Sequence, residues 1–221
     1  MHRRMTLSVL AVSVMLTGMS CVNRSDVGAP PVPTAEAVPG GRVAGGGVAD
    51  DTFLVRLETS KGNIDIEVHP AWAPKGAARF RELVEIGFYN GCRFFRVIPD
   101  FMVQVGMNGD PALHSQWSEN TIDDDPVLES NLPGYVTFAK TGLPNSRSTQ
   151  FFINYGNNAS LDGQRFAPFG KVVAGMDIAL SIEAKYREMP DQNAIRSAGN
   201  EYLKIEFPDL DFIRKASVVQ N

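Results

Sequence analysis

The sequence predicts an all-β barrel or sandwich, and three observations support that class. Short segments in which apolar and polar side chains alternate recur from about residue 52, and turn residues separate them. Only two or three segments have the three- and four-residue spacing of a helix. Strands and helices do not alternate regularly, as they would in a parallel α/β fold. The 221 residues, of which 43% are apolar, suffice for one sizeable domain with appendages.

The strands are predicted from this alternation. Residues 53–58 and residues 64–69 each follow a two-residue period, and the turn at residues 61–63 between them predicts a β-hairpin. The remaining strands are predicted over residues 93–98, 101–105, 135–139, 150–155, 169–173 and 216–219.

The helical segments are fewer. One has Pro74 near its first turn and a continuous apolar face, and the Asn-Gly turn at residues 90–91 is predicted to end it. A short helix is predicted near Met176, and residues 191–207 form an extra helical segment near the C-terminus. Residues 107–134 are predicted to be loop-like.

That loop carries the acidic run Asp123-Asp124-Asp125. Neighbouring acids on a loop are usually solvated, and no calcium-loop spacing follows them, so the sequence favours a solvated cluster over a metal site. His69 and His114 lie far apart in sequence without ligand-like neighbours, and they are interpreted as surface or structural residues. No metal is therefore expected.

The N-terminus has the pattern of an export signal. A short basic start is followed by an apolar run over residues 5–16, which is too short for a permanent membrane span, and by small residues up to Cys21. A cysteine at this place resembles a bacterial lipoprotein processing site, although Gly18 replaces the usual leucine. The alternative is an ordinary cleaved signal with an incidental cysteine. Lipid on Cys21 would hold the protein to a membrane.

The chain is thus predicted to have three parts. Residues 1–21 form the signal with the lipoprotein cysteine, residues 22–50 form a flexible tether rich in Pro, Gly and Ala, and residues 51–221 form the folded domain. Cys92, the second of two cysteines, is predicted to be a small core residue, since no base is apparent nearby to activate it. The net charge of −4 argues against a nucleic-acid partner.

Two sequence blocks carry a family resemblance. Residues 95–104 are Phe-Arg-Val-Ile-Pro-Asp-Phe-Met-Val-Gln, and residues 148–154 are Ser-Thr-Gln-Phe-Phe-Ile-Asn. Leu-Asp-Gly at residues 161–163 and Phe-Gly-Lys-Val at residues 169–172 follow in order. This series resembles the signature blocks of the cyclophilins, over about residues 52–185.

The resemblance implies both a fold and an activity. The fold would be a closed eight-stranded antiparallel barrel capped by two helices, with its core filled by side chains and its substrate on the outer surface. The activity would be rotation about Xaa-Pro peptide bonds, without cofactor or metal.

The resemblance also implies roles for individual residues. Arg96 would donate to the prolyl nitrogen, and Gln104 would hold Arg96 or the substrate backbone. The remaining substrate-binding residues would be Phe101, Met102, Ala139, Gln150, Phe152, Leu161 and Phe166.

Three departures from the family pattern concern the groove. Ser160 replaces a common tryptophan, which puts binding of cyclosporin-type macrocycles in doubt. Lys140 replaces an asparagine of the substrate groove. A pocket histidine is missing, and either Arg165 or Phe166 takes its place, because the segment is one residue longer.

Besides a structural lipoprotein whose extra segment at residues 191–207 docks a partner, two functions fit the sequence. The first is a monomeric, membrane-anchored prolyl isomerase on the extracytoplasmic (periplasmic) side, whose partners are proline-containing segments of exported proteins. The second is a non-catalytic peptide-binding or chaperone module on the same fold.

Overall fold

A computed structural model describes residues 51–219 of the chain. The predicted signal, the lipidation candidate Cys21 and the tether lie outside these residues. Among the described residues, no helix is both long and apolar enough to cross a membrane.

The described residues form eight β-strands, four α-helices and one 3₁₀ helix. In chain order they are β1 (Phe53–Thr59), β2 (Asn63–Val68), α1 (Pro74–Glu85), β3 (Arg96–Ile98), β4 (Met102–Val105), α2 (Pro111–Ser118), β5 (Tyr135–Phe138), β6 (Phe151–Asn154), the 3₁₀ helix (Ala159–Gln164), β7 (Pro168–Ala174), α3 (Met176–Leu180), α4 (Gln192–Glu206) and β8 (Ile213–Val219).

All eight strands belong to one antiparallel sheet in the order β3-β4-β6-β5-β7-β2-β1-β8. The all-β class is therefore confirmed. The expected closed barrel is not confirmed, because β3 and β8 end the strand order and share no ladder. An isolated antiparallel bridge between Arg93 and Phe212 joins the segments that precede these two strands.

The core is formed by buried side chains of the strands and of helix α1. Phe80 of α1 is fully buried and its ring packs edge-on against Phe151 of β6 at 5.2 Å between centroids. Phe169 of β7 and Tyr89 complete this aromatic group. Burial of such large apolar surfaces is the main favourable term in folding, and here it fixes strands β6 and β7 against α1.

Two boundaries differ from the sequence prediction. Helix α1 ends at Glu85, five residues earlier than the Asn-Gly turn suggested, because Gly87 takes a positive φ of 73° that ends the helical path. Helix α2 was predicted as loop. Its start does carry a signal: Asp110 accepts a hydrogen bond from the Ala112 backbone N–H, and Pro111 occupies the first helical position.

The acidic run was wrongly interpreted as solvated. Asp125 is buried, accepts hydrogen bonds from the Lys75 and Gly76 backbone N–H groups at the start of α1, and pairs with the buried Arg147 at 3.0 Å. Asp124 is also mostly buried. The interpretation holds only for the exposed Asp123.

The extra C-terminal segment forms a second apolar cluster. Ile195 and Leu203 of α4 pack with Phe95 and Met107, which adjoin β3 and β4 respectively, and with Phe207 and Leu210. The segment is therefore attached to the end of the sheet that carries the first signature block.

Candidate functional site

A pocket of about 410 Å³ opens on the outer surface at strands β3, β4 and β6. All nine residues that the sequence nominated for catalysis or substrate binding line it: Arg96, Phe101, Met102, Gln104, Ala139, Gln150, Phe152, Leu161 and Phe166. The sequence-predicted residues are thus brought together by the fold, although they come from segments up to 70 residues apart.

Arg96 projects from β3 with its guanidinium held from two sides. Its Nη1 donates to Gln104 Oε1 at 3.3 Å, and its Nε and Nη2 donate to Glu188 Oε2 at 3.1 and 3.0 Å. The guanidinium carbon lies 6.0 Å from the centre of the Phe101 ring. The side chain is about one-third exposed, so donors remain accessible from the pocket.

Gln104 and Gln150 form a polar relay behind the arginine. Gln104 lies directly opposite Arg96 in the β3–β4 ladder, and its Nε2 donates to Gln150 Oε1 at 2.8 Å. Because this bond uses the amide nitrogen of Gln104, its amide oxygen faces Arg96 as an acceptor. The register of two strands therefore fixes the orientation of the guanidinium.

The apolar wall is formed by Met102, Phe152, Leu161 and Phe166. Phe152 is buried on β6, and the Phe166 ring packs against it in a T-shaped contact with 5.9 Å between centroids. Phe166, and not Arg165, takes the wall position that the sequence left open. Arg165 is exposed outside the pocket and has a positive φ of 64° at the end of the 3₁₀ helix.

Asp162 of the Leu-Asp-Gly block supports this wall from behind. It accepts hydrogen bonds from the Ser130 hydroxyl and from both the backbone N–H and the side-chain amide of Asn131. Burial opposes ionisation of Asp162, but these bonds outweigh it and lower the pKa of the carboxyl below its ordinary value. Within this block, the polar residue Asp162 therefore has a structural role, and the apolar residue Leu161 lines the pocket.

Lys140 and Ala139 line the groove next to the apolar wall. The Lys140 Nζ pairs with Asp124 at 3.2 Å and lies 5.8 Å from the Phe166 ring centre. Its side chain is only 6% exposed. The lysine that replaces the usual asparagine is therefore neutralised by a neighbouring acid.

Sequence reasoning missed one end of the pocket. His114 and Ser118 on α2, and Gln192 and Arg196 on α4, also line it. The helical spacing of residues 191–207 contained the signal, because Gln192 and Arg196 are four residues apart and share a helix face. No local pattern indicated that this face turns toward the first signature block.

The other candidates for chemistry lie away from the pocket. Cys92 is fully buried, and burial raises the pKa of its thiol far above the ordinary value, so it is a core residue as predicted. His69 stacks on Trp72 with 3.7 Å between ring centroids and bonds to Glu67. Within residues 51–219, no group of three or more His, Cys, Asp or Glu residues is arranged to bind a metal.

Comparison with known proteins agrees with this geometry. Residues 54–200 match the model of the cyclophilin type peptidyl-prolyl cis-trans isomerase family. Peptidyl-prolyl cis-trans isomerase A of Dickeya dadantii is 41% identical over 132 residues, covering 58% of this chain and 70% of that protein. Peptidyl-prolyl cis-trans isomerase-like 3 of Homo sapiens is 38% identical over 135 residues, covering 58% and 81%.

Solved structures show the same fold. A cyclophilin type isomerase of Cryptosporidium parvum superposes with a TM-score of 0.59 at 23% identity, covering 77% of this chain and 99% of that one. Fold and pocket define an antiparallel β protein with a surface pocket that contains an arginine. The chain belongs to the cyclophilin type peptidyl-prolyl cis-trans isomerase family.

Proposed function

We propose that the pocket grips a substrate proline against Phe152 and Phe166 while Arg96 lowers the barrier to rotation of the preceding peptide bond. The observation that carries this proposal is the convergence of all nine nominated residues on one surface pocket, with the guanidinium oriented beside Phe101. Family membership supplies the reaction, and the contacts of this chain's residues supply its mechanism.

Rotation about the Xaa-Pro bond requires few groups beyond a hydrogen-bond donor and an apolar pocket. Amide resonance sets the barrier to rotation at ~18–20 kcal/mol. The resonance is lost when the bond twists, because the lone pair then localises on the nitrogen. A donor aimed at that nitrogen binds the twisted state more strongly than the planar one, which is the condition for catalysis. The guanidinium of Arg96 offers a rigid fork of donors for this purpose.

One hydrogen bond is not the whole effect. A charged hydrogen bond contributes about 1.5–3 kcal/mol, equivalent to about a 10- to 150-fold rate increase. The rest is assigned to the apolar wall, which removes water from the prolyl ring, and to Gln104 and Gln150, which hold the arginine and the substrate backbone. Strand pairing fixes these positions before substrate arrives, so little reorganisation is needed.

We also infer that this activity serves exported proteins. The export-type signal and Cys21 in the sequence support a lipid-anchored, extracytoplasmic monomer, with proline-containing segments of exported chains as its partners. Mass spectrometry of the mature N-terminus tests the anchor: diacylglycerol and acyl masses on Cys21 are expected. An unmodified terminus beyond Cys21 would exclude it.

The catalytic role is tested by following isomerisation of an Ala-Pro peptide with wild type, Arg96→Ala and a control, Lys215→Ala. Lys215 is exposed on β8 and does not line the pocket. We expect Arg96→Ala to lower kcat/KM about 10- to 150-fold with an unchanged circular dichroism spectrum, and Lys215→Ala to have little effect. Equal rates in wild type and Arg96→Ala reject the arginine donor. Peptide binding without acceleration by the wild type would favour the binding-module alternative.

A further inference from the structure

The far end of the pocket is built by two helices that do not carry the nominated proline site. Helix α2 contributes His114 and Ser118, and helix α4 contributes Gln192 and Arg196. Gln192 and Arg196 are one helical turn apart, so their side chains extend the wall of the groove together. The extra C-terminal segment therefore contributes to the lining of the pocket.

This end of the pocket is firmly attached to the rest of the fold. Within α4, Gly199 has φ 55° and ψ −137°, and a Cβ at this position would lie 2.1 Å from the Gly109 carbonyl oxygen. Asn200 donates from its backbone N–H to the same oxygen at 3.0 Å and from its side chain to the Gly91 carbonyl at 2.9 Å. The close approach presents the first half of α4 to the pocket in one orientation.

The charges around the pocket are unbalanced at this end. The pocket as a whole is lined by three cations, Arg96, Lys140 and Arg196, and by no acidic residue. Arg96 and Lys140 are each paired with a nearby acid, as described above. Arg196 donates to the Asn193 side-chain oxygen at 2.7 Å, and no carboxylate of the described residues lies within 4.0 Å of it.

A buried histidine adjoins this cation. His114 is 1% exposed, and neither ring nitrogen has a hydrogen-bond partner among residues 51–219. Burial, and after it the charge of Arg196, lower the pKa of His114, so the ring is neutral at neutral pH. Buried polar atoms usually have partners, and an incoming polar group at this end of the pocket would supply one.

We propose that α2 and α4 form a specificity subsite for an acidic substrate side chain, in which Arg196 binds the carboxylate. The favoured substrate is then a proline-containing segment with Asp or Glu within three residues of the proline. This inference rests on the proposed function of the pocket, because the peptide reaches Arg196 only when its proline occupies the site at Phe152. A guanidinium suits this task because its fork of donors matches the two oxygens of a carboxylate.

The test compares peptides that contain Ala-Pro and are otherwise identical. Glu, Gln or Lys is placed, one position at a time, at the two positions before the dipeptide and the two positions after it. With the full chain, kcat/KM is measured by isomerisation and Kd by titration. At one position, the Glu peptide should be preferred over the Gln peptide by about 3- to 10-fold in both quantities. Adding about 0.5 M salt should reduce that ratio, because the pair is partly exposed.

Variants of α4 assign the preference to one residue. Arg196→Gln should reduce the Glu/Gln ratio to about 1, Arg196→Lys should keep part of it, and Arg196→Glu should turn the preference toward Lys. Lys204→Gln is the matched control, since it removes the same charge from the same helix at an exposed residue outside the pocket. It should leave the ratio as in the wild type.

Two results would overturn the subsite. One is equal kcat/KM and equal Kd for Glu and Gln peptides at all four positions in an active enzyme. The other is a preference that survives Arg196→Gln or that Lys204→Gln abolishes equally. A protein that isomerises no peptide would instead refute the proposed catalysis, and the Kd ratios would still decide whether the subsite exists.

Discussion

Replacing Arg147 with methionine tests how the loop beside the pocket is held. The Arg147 side chain is 1% exposed, lies 3.0 Å from Asp125 Oδ2 and 3.6 Å from Asp124 Oδ1, and donates to the Asp123 carbonyl. Removing one partner of a buried ion pair costs about 3–5 kcal/mol, because the other charge stays buried without compensation.

The magnitude should fall near the lower end of that range. Without Arg147, Asp125 still accepts two backbone N–H bonds from α1, and Asp124 still pairs with Lys140. We therefore expect a loss of about 3 kcal/mol in the free energy of unfolding. For a domain of this size, that corresponds to a decrease in Tm of roughly 6–12 °C.

Urea unfolding followed by tryptophan fluorescence measures this loss, with Arg56→Met as the matched control. Arg56 also forms a bidentate pair with an aspartate, at 2.8 and 2.7 Å, but its side chain is 41% exposed. Exposed pairs contribute about 0–1 kcal/mol, so the control should change stability little. Equal losses in the two variants would refute the argument that burial decides the contribution of each pair.

Three further predictions concern the pocket, the kink in α4 and the response to acid. Glu188→Gln should lower kcat/KM by at most about 5-fold, because an exposed ion pair such as that of Glu188 with Arg96 contributes under about 1 kcal/mol. A loss as large as that of Arg96→Ala, or a gain in kcat/KM, would contradict a positioning role for Glu188. Gly199→Ala should destabilise the protein by at least about 2 kcal/mol in urea unfolding, because of its positive φ and the 2.1 Å contact, whereas Gly142→Ala, with no atom within 4 Å, should be nearly neutral. The pKa of Asp162 is lowered in the folded state, so its contribution to stability is present above its unfolded pKa of about 4 and is lost as the pH falls through the folded value. Tm should therefore decline less steeply between about pH 5 and pH 3 in Asp162→Asn than in wild type, and parallel curves would exclude the contribution.

Local patterns predicted the strands well because burial on one face of a sheet imposes a two-residue period. Residues 53–58 and 64–69 became β1 and β2 with little change in their limits, and buried side chains alternate with more exposed ones along both strands. Helix α2 has no comparable pattern, since only His114 of its eight residues is buried. The helix is determined by its N-cap and first residues and by its packing against the rest of the fold. A hydrophobic period in the sequence therefore could not predict it.

Charged groups were the hardest to place from sequence. Asp125 and Arg147 are separated by 22 residues, and each alone resembles a solvated loop residue. Their burial depends on the start of α1 and on the loop before β6, which approach only in the folded chain. The pairing of Glu188 with Arg96 could not be predicted for the same reason. The two residues are 92 positions apart, and they meet only because the later segment returns to β3 in the folded chain.

The pairing of Glu188 with Arg96 and the packing of α4 near Phe95 belong to the same structural feature. The C-terminal segment is fixed to the end of the sheet that bears the arginine, so it can both orient the guanidinium and extend the groove. If the two effects are separable, Glu188→Gln should reduce the rate for Glu and Gln peptides by the same factor, whereas Arg196→Gln should change their ratio. Residues more than about 7–10 Å apart without shared partners usually contribute additively, so the double variant should show the product of the two effects. A marked departure from that product would mean that Glu188 and Arg196 act on the substrate through one shared contact.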